Sequence, residues 1–455
     1  MSPHYTRDLV EFVAALDDLP AEVSDRARYL LLDYLGVAIR GSRVESSQPV
    51  YRMIERMGPA GCATMIGVGA RTSPGYAALA NGTAAHSVEL DDTHNAGSIH
   101  LGVVMFSAAF ALAETLEDVT ARQFFSAVTA GYEVAARVAM AVQPREHYGL
   151  GFHPTSTCGV FGAAVTASKL LKLSSGEVLS AVGIAGSMAA GSLEFLAEGA
   201  WTKRLHPGLA AQNGIQAAML ASEGFRGPCR ILEGRDGFLA GYSRNPEPER
   251  LTSELGQSFA ILSTAVKPHA CCRYMQGPID ALLDIVSAHD IRPERVRKIE
   301  VAVLDAGWSL VAEPRAQKYN PKSVVDAQFS MPFGAAVAVI FRAAGLDQFT
   351  EENTRSANVR KMMDKVVIVK DSRIEENFPE EWAARASIQL EDGRSYEKFV
   401  RHPKGDPQNP LTWTELVAKF HSLAGAVLPA TQCDKIVEQV TGGTPSSLPA
   451  LCCPE

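Results

Sequence analysis

Apolar residues recur at helical spacing through the first 265 residues. In "RDLVEFVAAL", "VSDRARYLLLDYLGVAI", "ARQFFSAVTAGYEVAARVAMAV" and "GLAAQNGIQAAMLASEG" they return every three or four positions, the period of one helix face. Ala and Gly are abundant in these segments, and small side chains let helices approach closely, as in a tightly packed bundle. Three stretches break the pattern with Gly and Pro: "GVGARTSP", "GSLEFLAEGAWTKRLHPG" and "EGRDGFLAGYSRNPEPER". All three are expected as loops. The opening "MSPHYTRDLVEFVAALDDLP" reads as a capped amphipathic helix and lacks the basic and apolar regions of a signal peptide.

After about residue 290 the pattern changes to period two. "VRKIEVAVL" and "KVVIVKD" are β-branched runs of strand length, and "ASIQLEDGRSYEKFV" alternates about Asp392-Gly393, a hairpin signal. "DAQFSMPFGAAVAVIFRAAG", between them, reads as a helix. "TWTELVAKFHSLAGAVLP" and "TQCDKIVEQV" then return to helix, and the tail "TGGTPSSLPALCCPE" is expected to be loosely ordered. The predicted fold is therefore mainly α with an α+β insertion. A large all-helical domain is built from both chain ends, residues 1–267 and 405–455, around a smaller α+β domain, residues 268–404.

Bulk properties narrow the function classes. A chain of 455 residues exceeds one ordinary core, which favours two domains. The net charge of -8 argues against nucleic-acid binding. The longest apolar run, "LGVVMFSAAFALA", is too short to span a bilayer, so no membrane partner is expected. Eight cysteines without any C-x-x-C form neither a disulfide framework nor a zinc ribbon, and a reduced, cytoplasmic protein is expected.

Four segments concentrate titratable groups. "SVELDDTHNAGSIH" carries Glu89, Asp91, Asp92, Thr93, His94 and His100. "YGLGFHPTSTCGVFGAA" places His153 before Pro154 and a hydroxyl-rich turn. "EGAWTKRLHPG" holds Lys203, Arg204 and His206, and "AVKPHACCRYMQG" holds Lys267, His269 and Arg273. Seven of the eleven histidines fall between residues 86 and 269. Each segment has a plainer reading. Asp91-Asp92-Thr93 would serve equally to cap a helix, His153 to pack a loop, Lys203-Arg204 to face solvent, and Lys267 and His269 to mark a hinge. His94, His100 and Asp91 would be the natural set for a divalent ion. No second metal motif follows them and lysines would repel a cation, so no catalytic metal is expected.

Taken in order, "AAHSVELDDTH…H", "GFHPTST", "TKRLHPG" and "VKPHACCR" resemble the MmgE/PrpD family, with "QFSMPFGAAVA" extending the likeness over nearly the whole chain. That family includes 2-methylcitrate dehydratase, cis-aconitate decarboxylase and iminodisuccinate epimerase. The resemblance implies a helical domain with a smaller α+β lid domain, a homodimer, and a site without metal or organic cofactor. It places catalytic roles on Thr93, His100, His153, Lys203 and Lys267. Glu89 stands where members often have an acidic residue. Asp91, Asp92, His94, Arg204, His206, His269 and Arg273 complete the expected substrate-binding set. The chain departs from the family at His100-Leu101, where many members read His-Pro.

The residue types suit the reactions. Each generates a carbanion beside a carboxylate, which lysines stabilise and a histidine protonates or deprotonates. The expected activity is that of a cofactor-independent lyase acting on a small polycarboxylate, foremost dehydration of a 2-methylcitrate-type 2-hydroxy acid. Decarboxylation of a cis-aconitate-like acid and epimerisation of an iminodisuccinate-like amino-dicarboxylate are the alternatives. A non-catalytic binding protein of the same fold and a magnesium-dependent terpene synthase are more remote.

Overall fold

A computed structural model describes residues 4–454. Met1 to Pro3, at the start of the first expected helical segment, and Glu455, at the end of the tail, lie outside the described residues. The chain is mainly helical with small sheets, and it forms two compact units. Of the described residues, one unit comprises 4–193, 202–264 and 412–454, the other 194–201 and 265–411.

The first unit contains α1 (Tyr5–Ala14), α2 (Ala21–Gly41), α3 (Gln48–Met57), α4 (Pro74–His86), α5 (Gly102–Ala113), α6 (Ala121–Ala141), α7 (Gly159–Leu170), α8 (Ser175–Ala185) and α9 (Thr202–Ser222). Local chemistry starts several of them. Thr120 with Gln123 and Ser174 with Glu177 form reciprocal capping boxes at α6 and α8, satisfying orphan N–H groups. Among the described residues no side chain caps α1. His4 makes no side-chain cap, and the Thr6 N–H donates instead to the distant Glu233 carboxylate at 3.2 Å.

Helix α5 is apolar all round and buried along its whole length, as befits the centre of a bundle. Around it Tyr34, Phe106, Phe110 and Phe124 stack with ring centroids 4.9–6.4 Å apart.

Helix α4 packs most extensively on α9. The crossing depends on two glycines. A Cβ at Gly82 would lie 2.8 Å from the Gly208 Cα, and one at Gly208 would collide with the Leu79 carbonyl oxygen and meet Thr83 Oγ1 at 2.7 Å. His86 follows Gly82 by one helical turn and Arg204 precedes Gly208 by one, so this contact carries both toward the same place. Gly208→Ala is expected to cost about 1–3 kcal/mol by overpacking. Gly176→Ala, where a Cβ meets nothing within 4 Å, should be neutral or mildly stabilising. Urea unfolding of both variants checks this, and equal stabilities would remove the crossing from the argument.

Two expectations about this unit are corrected. The segment "TKRLHPG" is helical, because α9 begins at Thr202 and runs through Pro207. The missing proline N–H would have served the Lys203 carbonyl, so the loss falls on the first turn, where it disrupts least. The tail is packed rather than loose. Leu448 and Cys452 are fully buried, the Gly67 N–H donates to the Cys452 carbonyl at 2.9 Å, and Gln432 Nε2 donates to the Leu451 and Cys453 carbonyls at 2.7 Å.

The second unit contains α10 (Gln276–Ala288), β1 (Val296–Ala302), α11 (Met331–Phe341), β2 (Val366–Val369), β3 (Ala384–Leu390) and β4 (Ser395–Val400). Its sheet runs in the order β2-β1-β3-β4. β1 pairs in parallel with β2 and antiparallel with β3, and β3 pairs antiparallel with β4. The β3–β4 turn uses Gly393 at φ 89°, a left-handed conformation that glycine adopts without penalty. Helix α10 covers β3 and β4, and α11 packs on α10. Residues 194–201, expected as part of the helical segment, belong to this unit.

The chain returns to the first unit in α12 (Trp413–Ala424) and α13 (Ala430–Gly442). Gly36 of α2 admits the Phe420 ring, whose nearest atom would lie 3.3 Å from an added Cβ. Among the described residues no helix is long and apolar enough to cross a membrane.

Candidate active site

The polar run between α4 and α5 folds back on itself within the first unit. His94 and Ile99 exchange backbone hydrogen bonds at 2.8 and 3.3 Å, closing a turn that brings Thr93 opposite His100. Thr93 Oγ1 then lies 3.2 Å from His100 Nδ1. His94 serves the turn itself. Its Nδ1 accepts the Gly97 N–H at 3.1 Å, and burial, aided by Arg137, pushes its pKa down to about 4.

Asp92 takes the capping role that the sequence left open. Its Oδ1 accepts the N–H of Gly102, the first residue of α5, at 2.9 Å, and its Oδ2 accepts the Tyr132 hydroxyl at 2.6 Å. Burial raises its pKa to about 7, with both hydrogen bonds pulling the other way. Asp91 instead faces two imidazoles: Oδ2 lies 2.7 Å from His86 Nδ1 and 3.1 Å from His100 Nδ1. His100 Nδ1 also lies 2.8 Å from the Asp92 carbonyl oxygen. A carbonyl accepts only, so this nitrogen carries a proton, and in the neutral ring Nε2 holds the lone pair.

The "HPTST" turn supplies the opposite wall. Pro154 starts a short helix, and the Thr155 hydroxyl accepts the His100 N–H at 3.2 Å. The Thr157 hydroxyl donates to the His153 carbonyl at 3.2 Å, and its oxygen lies 2.7 Å from His147 Nε2. His153 Nδ1 lies 3.0 Å from His206 Nδ1, which arrives from α9. Burial lowers the His153 pKa well below the ordinary histidine value, and the fields of His206, Lys203, His86 and His100 add to the effect. Burial likewise carries His86 to about 4 and His206 to about 3. All three rings are neutral near pH 7.

Helix α9 delivers the cations. Lys203 Nζ pairs with Glu89, both buried, and Glu89 sits at φ 56° in the sparsely populated left-handed region. Arg204 donates to Ser46 Oγ at 2.9 Å, and Ser46 lies 3.1 Å from the Ser87 hydroxyl. From α12, Lys419 reaches Asp33 at 2.6 Å and the Leu90 carbonyl at 2.8 Å, which anchors the loop beside Asp91.

The structure thus gathers Glu89, Asp91, Thr93, His100, His153, Lys203, Arg204 and His206, and assigns Asp92 and His94 to holding the loop. The remaining expected residues belong to the second unit. There Lys267 is buried, His269 Nε2 lies 2.8 Å from Asp280 Oδ1, and Arg273 pairs with Asp406 beneath the Trp382 ring. Sequence reasoning passed over His86. It ends a helix of small residues, and its place five positions before Asp91 was the available signal. One ring nitrogen from each of His86, His100 and His153 lies within 4.8 Å of the others, a separation that a divalent ion could close. The set weighed from sequence, His94 with His100 and Asp91, is not the one that the fold assembles.

Comparison with known proteins places this geometry. A model of the MmgE/PrpD N-terminal domain matches residues 7–251, and one of the MmgE/PrpD C-terminal domain matches residues 269–442. The cis-aconitate decarboxylase-like protein oryM of Aspergillus oryzae is 31% identical, with 96% of this chain and 93% of that protein covered. The cis-aconitate decarboxylase of Aspergillus terreus is 28% identical over 94% of this chain and 90% of its own length. That of Homo sapiens is 27% identical over 93% and 88%.

Proposed function

Because the chain belongs to the MmgE/PrpD family, we propose that it is a lyase that removes carbon dioxide from a small unsaturated tricarboxylate of the cis-aconitate kind. The observation that carries this reading is one buried cluster in which Lys203 stands beside three neutral imidazoles, with Arg204 next to it in the chain and in the field of the same Glu89 carboxylate. The names of the near-full-length relatives favour decarboxylation over the 2-methylcitrate-type dehydration first expected from sequence.

The chemistry needs two things. Breaking the carbon–carbon bond releases CO2 and leaves an electron pair. That pair moves through the double bond to the carbon beside a second carboxylate, where one proton must be added. Lys203 and Arg204 hold the retained carboxylates and offset the charge that spreads onto them. A histidine adds the proton. The rings rest neutral, and an incoming polyanion favours their charged form, so substrate binding itself arms the acid. Asp91 orients His86 and His100, as a carboxylate behind an imidazole does elsewhere.

The test is proton NMR in deuterated water with three acids: a cis-aconitate-type, a 2-methylcitrate-type and an amino-dicarboxylate. Release of CO2 with one solvent deuterium in the product is expected from the first. Turnover of the 2-methylcitrate-type acid alone would replace decarboxylation by dehydration. Deuterium uptake by the amino-dicarboxylate without net change would replace it by epimerisation. The family's homodimer is carried here as a proposal, and a monomer by light scattering at micromolar concentration would refute it.

A further inference from the structure

We propose that His86, His100 and His153 form a binding site for a zinc ion, which competes with the organic substrate for the same imidazoles. Their ring centroids lie 4.8, 6.0 and 6.4 Å apart, and one nitrogen from each falls within 4.8 Å of the other two. Zinc bound to imidazole at about 2.0–2.1 Å holds its ligand nitrogens about 3.3 Å apart. Side-chain rotation therefore has to close at most about 1.5 Å. Three ligands leave the fourth position to water or to one carboxylate oxygen of a small anion.

Two features go beyond a chance meeting of rings. His86 Nε2 is fully buried and has no hydrogen-bond partner among the described residues, which is costly unless something else uses its lone pair. Behind the rings, Asp91 engages Nδ1 of both His86 and His100. A carboxylate behind a histidine fixes the tautomer that presents Nε2 and raises its basicity, as in carboxylate–histidine–zinc sites. The charges near the cluster do not forbid a cation. Lys203 is paired with Glu89, and Arg204 also feels the Glu89 carboxylate, while Asp91 contributes a negative charge directly behind two of the ligands.

The experiment uses the full chain, stripped of metal and free of any organic acid, so its outcome is separate from the proposed lyase activity. Zinc chloride should bind one ion per chain at micromolar concentration or tighter. X-ray absorption fine structure on the zinc-loaded native protein should count three imidazoles, and cobalt(II) should give the intense visible bands of a four-coordinate ion. Asp91→Asn should weaken binding about 10–100-fold. His86→Gln and His153→Gln should abolish it, with circular dichroism melts as the folding control. His289→Gln and His421→Gln should leave it unchanged. Fewer than three imidazoles on the zinc of the native protein would overturn the proposal even if the variants fail to fold. So would folded His86 and His153 variants that still bind one ion.

Discussion

His153→Gln is expected to lower kcat by about 10²–10⁴ with little change in KM, the usual loss when a general acid is removed. Glutamine keeps a polar side chain of similar reach and can still hydrogen-bond to His206, but it has no titrating nitrogen. His153 lies in the field of Lys203 and beside the rings of His206, His86 and His100, at centroid distances of 5.2, 6.0 and 6.4 Å. Its backbone is held independently of the ring: its N–H donates to the Gly191 carbonyl at 3.0 Å and its own carbonyl accepts from Thr157. The substitution should therefore leave the turn in place and the melting temperature close to native. Steady-state kinetics on the cis-aconitate-type acid, with a melt as control, checks this. Turnover within threefold of the native protein would end the assignment of His153 as proton donor.

Lys203→Met is the second large effect, and it should split into two parts. Loss of a positive charge from the developing anion is expected to lower kcat/KM by about 10²–10³, comparable with removal of one oxyanion donor elsewhere. The same change deprives the buried Glu89 of its ammonium partner, and breaking a buried pair typically destabilises by about 3–5 kcal/mol. Arg204, which also interacts with Glu89, should bring the cost toward the lower end. The double variant Glu89→Gln/Lys203→Met separates the parts. It no longer buries an unmatched charge, so it should recover most of the stability while remaining as inactive as the single variant. Urea unfolding and kinetics on the native protein and the two variants read the two effects apart. If the double variant regained activity together with stability, Lys203 would be a structural cation and the anion-binding argument would fall.

Much of the site was legible in the chain because its residues sit in short runs of unusual chemistry. The stretch from Glu89 to His100 stood out as carboxylates and histidines between apolar helices. "GFHPTST" and "TKRLHPG" stood out as proline-bearing turns with titratable side chains. What each residue does was less legible. Asp91 and Asp92 are adjacent and chemically identical, yet one faces two imidazoles and the other accepts from Gly102 and Tyr132. That division follows from which way each side chain leaves the backbone and which helix lies there, and a string of letters records neither. His86 was missed for the same reason. A single histidine at the end of an alanine-rich helix is ordinary until α9 is laid across it at Gly82 and Gly208.

The sequence by itself determined the features that depend on neighbours a few residues away. Helical periodicity, the capping boxes at Thr120 and Ser174, the β-branched strands and the turn at Asp392-Gly393 are all local, because backbone preference and side-chain period act over one or two turns. Only the tertiary structure decided what joins residues far apart in the chain. The meeting of His153 with His206, the pairing of Glu89 with Lys203, the anchoring of the Leu90 carbonyl by Lys419, the helix that continues through Pro207 and the burial of the C-terminal tail belong to this class. Each is settled by how closely two helices can approach and by which buried polar group must find a partner. Those energies appear only when the whole core is assembled, since a donor or cation is worth little in water and several kcal/mol once water is excluded.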